Sequence, residues 1–192
     1  MSKISKKTKF WSDLQDSWIK NRDKPDNTEI PLISKIKSLC ENKYTLDIGV
    51  GTGRYLHYFE ESKKLYGIDF MEKFINTANK IKPNNCELFV DDVVNLKFNK
   101  YIDILFTMTC LQHIDPLQID LAIKNLCELN AKDIVLWECT NKTYINNGFE
   151  NSSDNYMFGH NYEELFEKYN YKLVYSELWS NNITYLLQFE QI

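Results

Sequence analysis

The stretch LDIGVGTGRY, residues 46–55, contains three of the six glycines of this 192-residue chain within five positions. Glycine inside a regular element costs about 0.5–1 kcal/mol relative to alanine, so such a cluster needs a local reason. The glycines follow a short apolar run and precede an amphipathic stretch. We therefore expect them to form a turn between a first strand and a first helix, where the backbone passes close to a ligand.

Short apolar runs and amphipathic stretches alternate along the chain around this turn. The apolar runs have the length of buried strands and occupy residues 44–49, 64–69, 86–90, 101–108 and 133–138. The amphipathic stretches have helical length and occupy residues 53–62, 71–81 and 116–129. Strands that alternate with helices predict βαβ units, which build a parallel sheet with right-handed crossovers.

The last part of the chain has a different pattern. A helix is predicted over 161–169, and apolar runs follow at 171–179 and 183–190, separated by the turn signal Ser180-Asn181-Asn182. A hairpin here would add an antiparallel strand to the sheet. The sequence thus predicts an α/β fold with a doubly wound, Rossmann-like sheet of seven strands, mostly parallel with one antiparallel strand, and helices on both faces.

The first 31 residues are predicted to form an N-terminal helical lid segment, and residues 32–192 the main domain. The segment is polar, and Pro25 and Pro31 interrupt it. Four of its apolar residues recur at spacings typical of one helix face, namely Phe10, Trp11, Leu14 and Trp18. A face of this kind either packs on the domain or covers a pocket.

Composition narrows the expected partners and compartment. Lys and Arg total 23 against 27 Asp and Glu, a net charge of −4, which argues against a large nucleic-acid footprint. The five cysteines form no C-x-x-C pair, so neither a metal site nor a redox motif is indicated, and a reducing cytoplasm is expected. We find no signal peptide and no apolar run of about 18 residues, so no membrane contact is expected.

The spacing of the glycines separates the nucleotide-binding families. Gly49, Gly51 and Gly53 follow a G-x-G-x-G pattern, whereas the dinucleotide fingerprint would need a glycine in place of Arg54. A Walker loop is excluded because no G-K-[ST] follows. The pattern disfavours an NAD-dependent reductase, although Asp69 would suit the ribose of either kind of ligand, since a carboxylate can accept from two neighbouring hydroxyls.

Four segments in order carry a more specific resemblance. They are LDIGVGTGRY, LYGIDF (residues 65–70), FVDDVVNL (89–96) and YIDILFTMTCLQHI (101–114). Together they resemble the motifs of the class I S-adenosylmethionine-dependent methyltransferases. The resemblance covers about residues 30–190 and implies that S-adenosylmethionine is the cofactor.

The resemblance also implies the cofactor contacts. Asp69 is expected to accept hydrogen bonds from the ribose, Asp92 from the adenine amino group, and Val93 to offer its backbone N–H to a ring nitrogen. Asp47 is expected under the glycine loop, where it helps to bind the methionine amino group directly or through water. The rest of the cofactor-binding set comprises Gly49, Gly51, Gly53, Phe70 and Thr109. A pocket rimmed by carboxylates suits a sulfonium cation and would repel a pyrophosphate.

Three residues are candidates for the catalytic work on the acceptor. His113 follows the fourth strand, and histidine is the natural general base near neutral pH. His160 precedes the helix predicted at 161–169, where members of the resembled family often contact the acceptor. Glu138 ends the fifth strand and by position points into the cleft, where it could pair with an amine or a hydroxyl.

The expected acceptor is a small polar metabolite that is methylated on oxygen or nitrogen. The [DN]-P-P-[YFW] motif of base-amino DNA methyltransferases is absent, and Cys110 lacks the preceding proline that cytosine carbon-5 enzymes need. Residues 158–173 resemble methyltransferases of sugar or glycan pathways, which suggests a sugar or a nucleotide-sugar. Two alternatives stay open: a protein or RNA methyltransferase with a partner subunit, and a module that binds the cofactor without turnover.

Overall fold

One sheet organises the chain in a computed structural model, which describes residues 6–21, 29–139, 157–179 and 182–189. Its strands are β1 (Tyr44–Ile48), β2 (Lys64–Asp69), β3 (Cys86–Val90), β4 (Ile104–Met108), β5 (Asp133–Glu138), β6 (Tyr171–Trp179) and β7 (Asn182–Phe189). They lie in the order β3-β2-β1-β4-β5-β7-β6. Strands β1 to β5 are parallel, and β7 runs antiparallel to both β5 and β6. The predicted Rossmann-like α/β class is confirmed.

The helices are α1 (Lys6–Asn21), α2 (Ile30–Cys40), α3 (Glu72–Ala78), α4 (Ile119–Cys127) and α5 (Tyr162–Glu167). They cover both faces of the sheet, with α4 and α5 in one apolar core and α2 and α3 in the other. Every residue of the central strands β4 and β5 is buried, as expected for parallel strands that are covered on both sides. None of the described helices is both long and apolar enough to cross a membrane.

Two segments differ from the sequence expectation. The helix predicted over 53–62 is only a 3₁₀ turn, Leu56–Phe59, because i to i+3 bonds close this short connection before β2 begins. Helix α2 was not expected, and the predicted boundary at residue 31 falls inside it. Pro31 lies in its first turn, where proline needs no hydrogen-bond partner. The side chain of Trp18 and the predicted turn at 180–181 lie outside the described residues.

The strand order determines where a ligand can bind. Neighbouring strands run outward from β1 in one direction and from β4 in the other, so the order reverses between these two strands. In open α/β sheets, ligands bind outside the carboxyl ends of the strands at such a switch point.

Candidate active site

A cleft opens at the carboxyl ends of β1 to β4, next to the switch point. Its empty volume, including the part open to solvent, is about 820 Å³, within the range of about 300–1,000 Å³ of small-molecule pockets. Most of the residues predicted from the sequence line it, namely Gly49, Gly51, Asp69, Phe70, Asp92, Val93, Thr109 and His113. Asp47, Gly53, Glu138 and His160 are not part of this lining.

The three glycines of the loop after β1 all have positive φ, but their surroundings differ. A Cβ atom on Gly49 would lie 2.5 Å from Sγ of Cys110, and one on Gly53 would lie 2.9 Å from Cβ of Ala78. A Cβ on Gly51 would make only an ordinary contact, with the backbone oxygen of Gly49 at 3.9 Å. Packing within the protein therefore requires glycine at positions 49 and 53, whereas Gly51, which lines the cleft, has room for a Cβ.

Asp69 holds this glycine loop in place at the edge of the cleft. Its Oδ2 accepts a hydrogen bond from the backbone N–H of Gly51 at 3.0 Å, and its Oδ1 accepts one from the N–H of Met71 at 2.8 Å. The side chain is largely buried yet lines the cleft. The same carboxylate thus shapes the loop and faces the space in which a ligand would bind.

The two adjacent acids after β3 have different partners. The carboxylate of Asp91 accepts hydrogen bonds from the backbone N–H groups of Asp92 (2.9 Å), Lys97 (3.0 Å) and Phe98 (2.8 Å). Oδ1 of Asp92 accepts one from Val94 N–H at 3.1 Å, at the start of a 3₁₀ turn. Asp91 therefore shapes the chain that follows, and Asp92 stays the candidate for an adenine contact.

Asp47 lies inside β1 beneath the glycine loop and is buried. Burial, and secondly the charge of Asp69, raise the pKa of Asp47 to about 8, so its protonated form is favoured at neutral pH. Because Asp47 does not line the cleft, a contact between it and a bound amino group would pass through water.

His113 lies in the segment after β4, residues 109–114, which we call the β4 loop. Its ring packs against two aromatic side chains of α1. The ring centroids of His113 and Trp11 are 5.0 Å apart in an edge-on arrangement, and Phe10 stacks at 6.1 Å. Trp11 also packs edge-on against Phe74 of α3 at 6.1 Å and lines the cleft. Helix α1 therefore supplies part of the cleft wall.

Glu138 does not face the cleft, which corrects the orientation expected from its position at the end of β5. It is fully buried beneath the β4 loop. Its Oε1 accepts hydrogen bonds from the hydroxyl of Thr107 (2.7 Å) and the N–H groups of Cys110 (2.9 Å) and Leu111 (3.0 Å), and its Oε2 accepts one from Gln112 N–H (3.0 Å). Burial raises the pKa of Glu138, and these four hydrogen bonds oppose the rise.

His160 also lies away from the cleft lining. Its Nε2 is 3.0 Å from the carbonyl oxygen of Ile114, at the end of the β4 loop. Burial lowers the pKa of His160 to about 4, so the imidazole is neutral near pH 7 and donates from Nε2 to that carbonyl. The structure therefore brings only His113 of the three predicted catalytic residues to the cleft.

Sequence reasoning did not assign a role to Arg54, although it lines the cleft. Its Nη2 donates to Oε1 of Glu29 at 2.8 Å, and the hydroxyl of Tyr55 donates to the same oxygen at 3.0 Å. The ion pair is almost completely buried. Arg54 stands where the dinucleotide fingerprint G-x-G-x-x-G has its third glycine. A long basic side chain at that position of the loop is the sequence feature that indicates a contact with the ligand.

The polar lining of the cleft is rich in carboxylates. Asp69, Asp91 and Asp92 all face it, and Arg54 is the only lysine or arginine among the described lining residues. Opposite charge attracts a cation to such a site, and an anion such as a pyrophosphate would be repelled. The residues present therefore fit a ligand that carries a ribose and a positive charge.

Comparison with known proteins gives the following matches. A family model described as "Methyltransferase domain" matches residues 45–133. Magnesium protoporphyrin IX methyltransferase from Synechocystis PCC 6803 with bound SAM has a TM-score of 0.73 at 12% identity over 97% of each chain. The N-methyltransferase NodS from Bradyrhizobium japonicum WM9, in complex with S-adenosyl-L-homocysteine, has a TM-score of 0.76 at 14% identity over 95% of this chain and 99% of that one.

A third similar structure is the 1,6-didemethyltoxoflavin-N1-methyltransferase from Burkholderia thailandensis, with bound 1,6-didemethyltoxoflavin and S-adenosylhomocysteine. Its TM-score is 0.71 at 13% identity over 100% of this chain and 93% of that one. No curated protein matches the sequence. At such low identity, these three structures establish a shared fold.

Proposed function

We propose that this chain is a class I S-adenosylmethionine-dependent methyltransferase with S-adenosylmethionine as its cofactor, and that its acceptor is an oxygen or nitrogen atom of a small polar metabolite. The observation that carries the proposal is the carboxylate-lined cleft at the switch point of the sheet. When bound, the cofactor supplies a methyl group on a sulfonium sulfur, and a nucleophilic atom of the acceptor displaces the sulfur.

The residues of the cleft fit the parts of this cofactor. Asp69 would accept from the ribose hydroxyls, as its place beside Gly51 supports. Asp92 would accept a hydrogen bond from the adenine amino group, and the backbone N–H of Val93 would donate one to a ring nitrogen. Arg54 is the basic side chain available for the methionine carboxylate, and Asp47 would reach the amino group through water.

His113 is the proposed general base. It lines the cleft from the β4 loop, and a neutral imidazole can take the proton that an oxygen or nitrogen acceptor must lose. His160 and Glu138 contact the β4 loop and not the cleft, so we do not propose that either takes this proton.

The N-terminal segment, residues 1–31, is proposed to act as a lid. Within it, α1 places Trp11 on the cleft wall, and Asp16 forms an ion pair with Lys73 of α3. A cover at this position would exclude water from the reacting atoms and orient the acceptor.

The charges of the lining favour an uncharged acceptor over a phosphorylated one. A phosphate is usually held by lysine or arginine side chains, and the single arginine of the described lining is the one proposed above for the methionine carboxylate. Two of the similar structures have names that refer to ring-bearing small molecules. A neutral sugar or a heterocyclic amine or alcohol is therefore favoured over a nucleotide-sugar.

Calorimetric titration with S-adenosylmethionine and S-adenosylhomocysteine, with NAD as the control, tests the proposal. We expect both sulfur compounds to bind and NAD not to bind. Asp69→Ala should weaken binding at least tenfold, about 1.4 kcal/mol, because charge-assisted hydrogen bonds are lost. Asp120→Ala on the exposed side of α4 is the matched control. Failure of both compounds to bind the wild type would refute the function, and unchanged affinity in Asp69→Ala would refute the ribose site.

A further inference from the structure

We infer that Glu138 is a positioning residue that holds the β4 loop in the shape the cofactor cleft requires, an inference that rests on the proposed function. The carboxylate accepts from three consecutive backbone N–H groups of that loop, and Glu138 itself is not part of the cleft lining. It therefore acts on bound molecules only through the loop.

The β4 loop forms a cup that binds an anion. Thr109 has a φ of 58°, and Cys110 follows it in a right-handed conformation before the 3₁₀ turn Leu111–His113. A left-handed residue followed by right-handed ones turns successive N–H groups toward one point, and such concave groups bind anions. Here the group in the cup is the side-chain carboxyl group of Glu138, at the end of β5.

The conformation of the loop needs this support. A left-handed residue other than glycine costs about 1–2 kcal/mol and persists only when its surroundings hold it there. Gln112 also fixes the loop through two other hydrogen bonds. Its side-chain Oε1 accepts from Cys139 N–H at 2.9 Å, and its backbone carbonyl oxygen accepts from Phe158 N–H at 2.7 Å. Only Glu138, however, gathers the N–H groups of residues 110–112 into one cup.

A shift of the β4 loop would change the shape of the cleft directly. Thr109, Cys110 and His113 all belong to the cleft lining. Cys110 also lies against the glycine loop, because a Cβ on Gly49 would be 2.5 Å from its Sγ. The Glu138 carboxylate therefore fixes the position of His113, the candidate base. Through Cys110, it also restricts the space available to the glycine loop at Gly49.

Glu138→Gln is the smallest substitution that tests this role. The shape is kept, but one carboxylate oxygen becomes an NH₂ group that donates and cannot accept. Whichever way the amide turns, at least one loop N–H then faces a donor. The matched control is Asp133→Asn, because Asp133 is buried at the opposite end of the same strand and pairs with Lys43 at 3.2 Å, far from the cleft.

Cys110 provides a direct reporter of the loop, because the other four cysteines are buried. We would measure the rate at which a maleimide labels this thiol, with Cys110→Ala to identify the signal, and the affinity for S-adenosylhomocysteine by calorimetry. In Glu138→Gln we expect labelling at least fivefold faster than in the wild type and affinity at least tenfold weaker. Asp133→Asn should leave both within twofold while lowering the thermal unfolding temperature.

Two results would overturn the inference: unchanged labelling and affinity in Glu138→Gln, or equal changes in Asp133→Asn, which would mark a general loss of stability. Thr107→Val removes one hydrogen bond to the same carboxylate and should shift both readouts in the same direction by a smaller factor. If Glu138→Gln does not fold, unchanged readouts in Thr107→Val overturn the inference. If the wild type does not bind S-adenosylhomocysteine, the cofactor function fails, and the labelling rates still decide the role of Glu138.

Discussion

At the scale of the residue, Gly49 and Gly51 differ in what surrounds them although both have positive φ. Alanine at either position would adopt a left-handed conformation, which costs about 1–2 kcal/mol of stability. At position 49 its Cβ would also overlap Cys110, and overpacking of this kind adds about 1–3 kcal/mol. At position 51, which lines the cleft, the added methyl group would make only an ordinary contact, with the Gly49 oxygen at 3.9 Å.

We therefore predict opposite rankings for two measurements. Gly49→Ala should lower the free energy of unfolding by about 2–4 kcal/mol, and Gly51→Ala by about 1–2 kcal/mol, in urea denaturation. Gly51→Ala should weaken S-adenosylhomocysteine binding at least tenfold. Cys110→Gly should recover part of the stability lost in Gly49→Ala, since it removes the atoms that the new Cβ meets. Equal stability of the two alanine variants would contradict the described packing of the loops.

The sequence predicts which residues lie at the carboxyl ends of strands, but it does not predict which way their side chains point. Asp69 ends β2, Asp92 follows β3, and both line the cleft, because the carboxyl ends of parallel strands meet at one edge. Glu138 ends its strand in the same way, yet the N–H groups of the β4 loop turn its carboxylate away from the cleft. That contact depends on the left-handed conformation of Thr109, which no periodic pattern predicts.

At the scale of the element, helix α1 forms part of the cleft wall through a small number of contacts. Trp11 packs against His113 and Phe74, so its side chain links the β4 loop to α3. Trp11→Ala should raise the dissociation rate of S-adenosylhomocysteine at least fivefold in stopped-flow measurements, because a covering side chain slows escape more than entry.

The control for this prediction is Asp13→Ala on the same helix, since Asp13 is exposed and pairs with Lys9 within α1. Its dissociation rate should equal that of the wild type. A dissociation rate that Trp11→Ala leaves unchanged would contradict the role of α1 as a lid.

Element lengths explain the errors in the predicted helices. The stretch 53–62 has helical periodicity in its buried residues Tyr55, Leu56 and Phe59, but its backbone forms i to i+3 bonds, so only the short 3₁₀ turn Leu56–Phe59 precedes β2. Helix α2 has the same spacing in Leu32, Ile33, Ile36 and Cys40, but the sequence alone does not distinguish a Pro31 that interrupts a segment from one that starts a helix. Proline in a first helical turn marks a start and not a break.

At the scale of the whole molecule, two buried groups make the stability depend on pH in opposite directions. The pKa of Asp47 is raised to about 8 from an unfolded value of about 3.9, so the unfolded chain binds fewer protons between these values. Its contribution to stability is therefore complete below pH 4 and is lost as pH rises to 8. The pKa of His160 is lowered to about 4 from about 6.5, so its contribution is complete above pH 6.5 and is lost as pH falls to 4.

Difference profiles between variants and wild type isolate these contributions. The free energy of unfolding of Asp47→Asn, relative to wild type, should rise with pH between 5 and 8, by at most about 1.4 kcal/mol per pH unit. That of His160→Gln should rise as pH falls from 6.5 to 4.5. Asp120→Asn, on the exposed face of α4, should show a constant difference between pH 5 and 8. A flat profile for either buried variant would contradict its shifted pKa.

The position of β7 also has a consequence for how the protein is made. This strand is the last of the described strands along the chain, but it lies between β5 and β6, which are both synthesised before it. On the ribosome, β5 therefore has an open edge until β7 emerges, and an open edge can pair with the wrong strand or with another chain. Strand β6 runs parallel to β5 and is the first wrong partner available. The seven-stranded sheet is thus completed only after β7 has been synthesised.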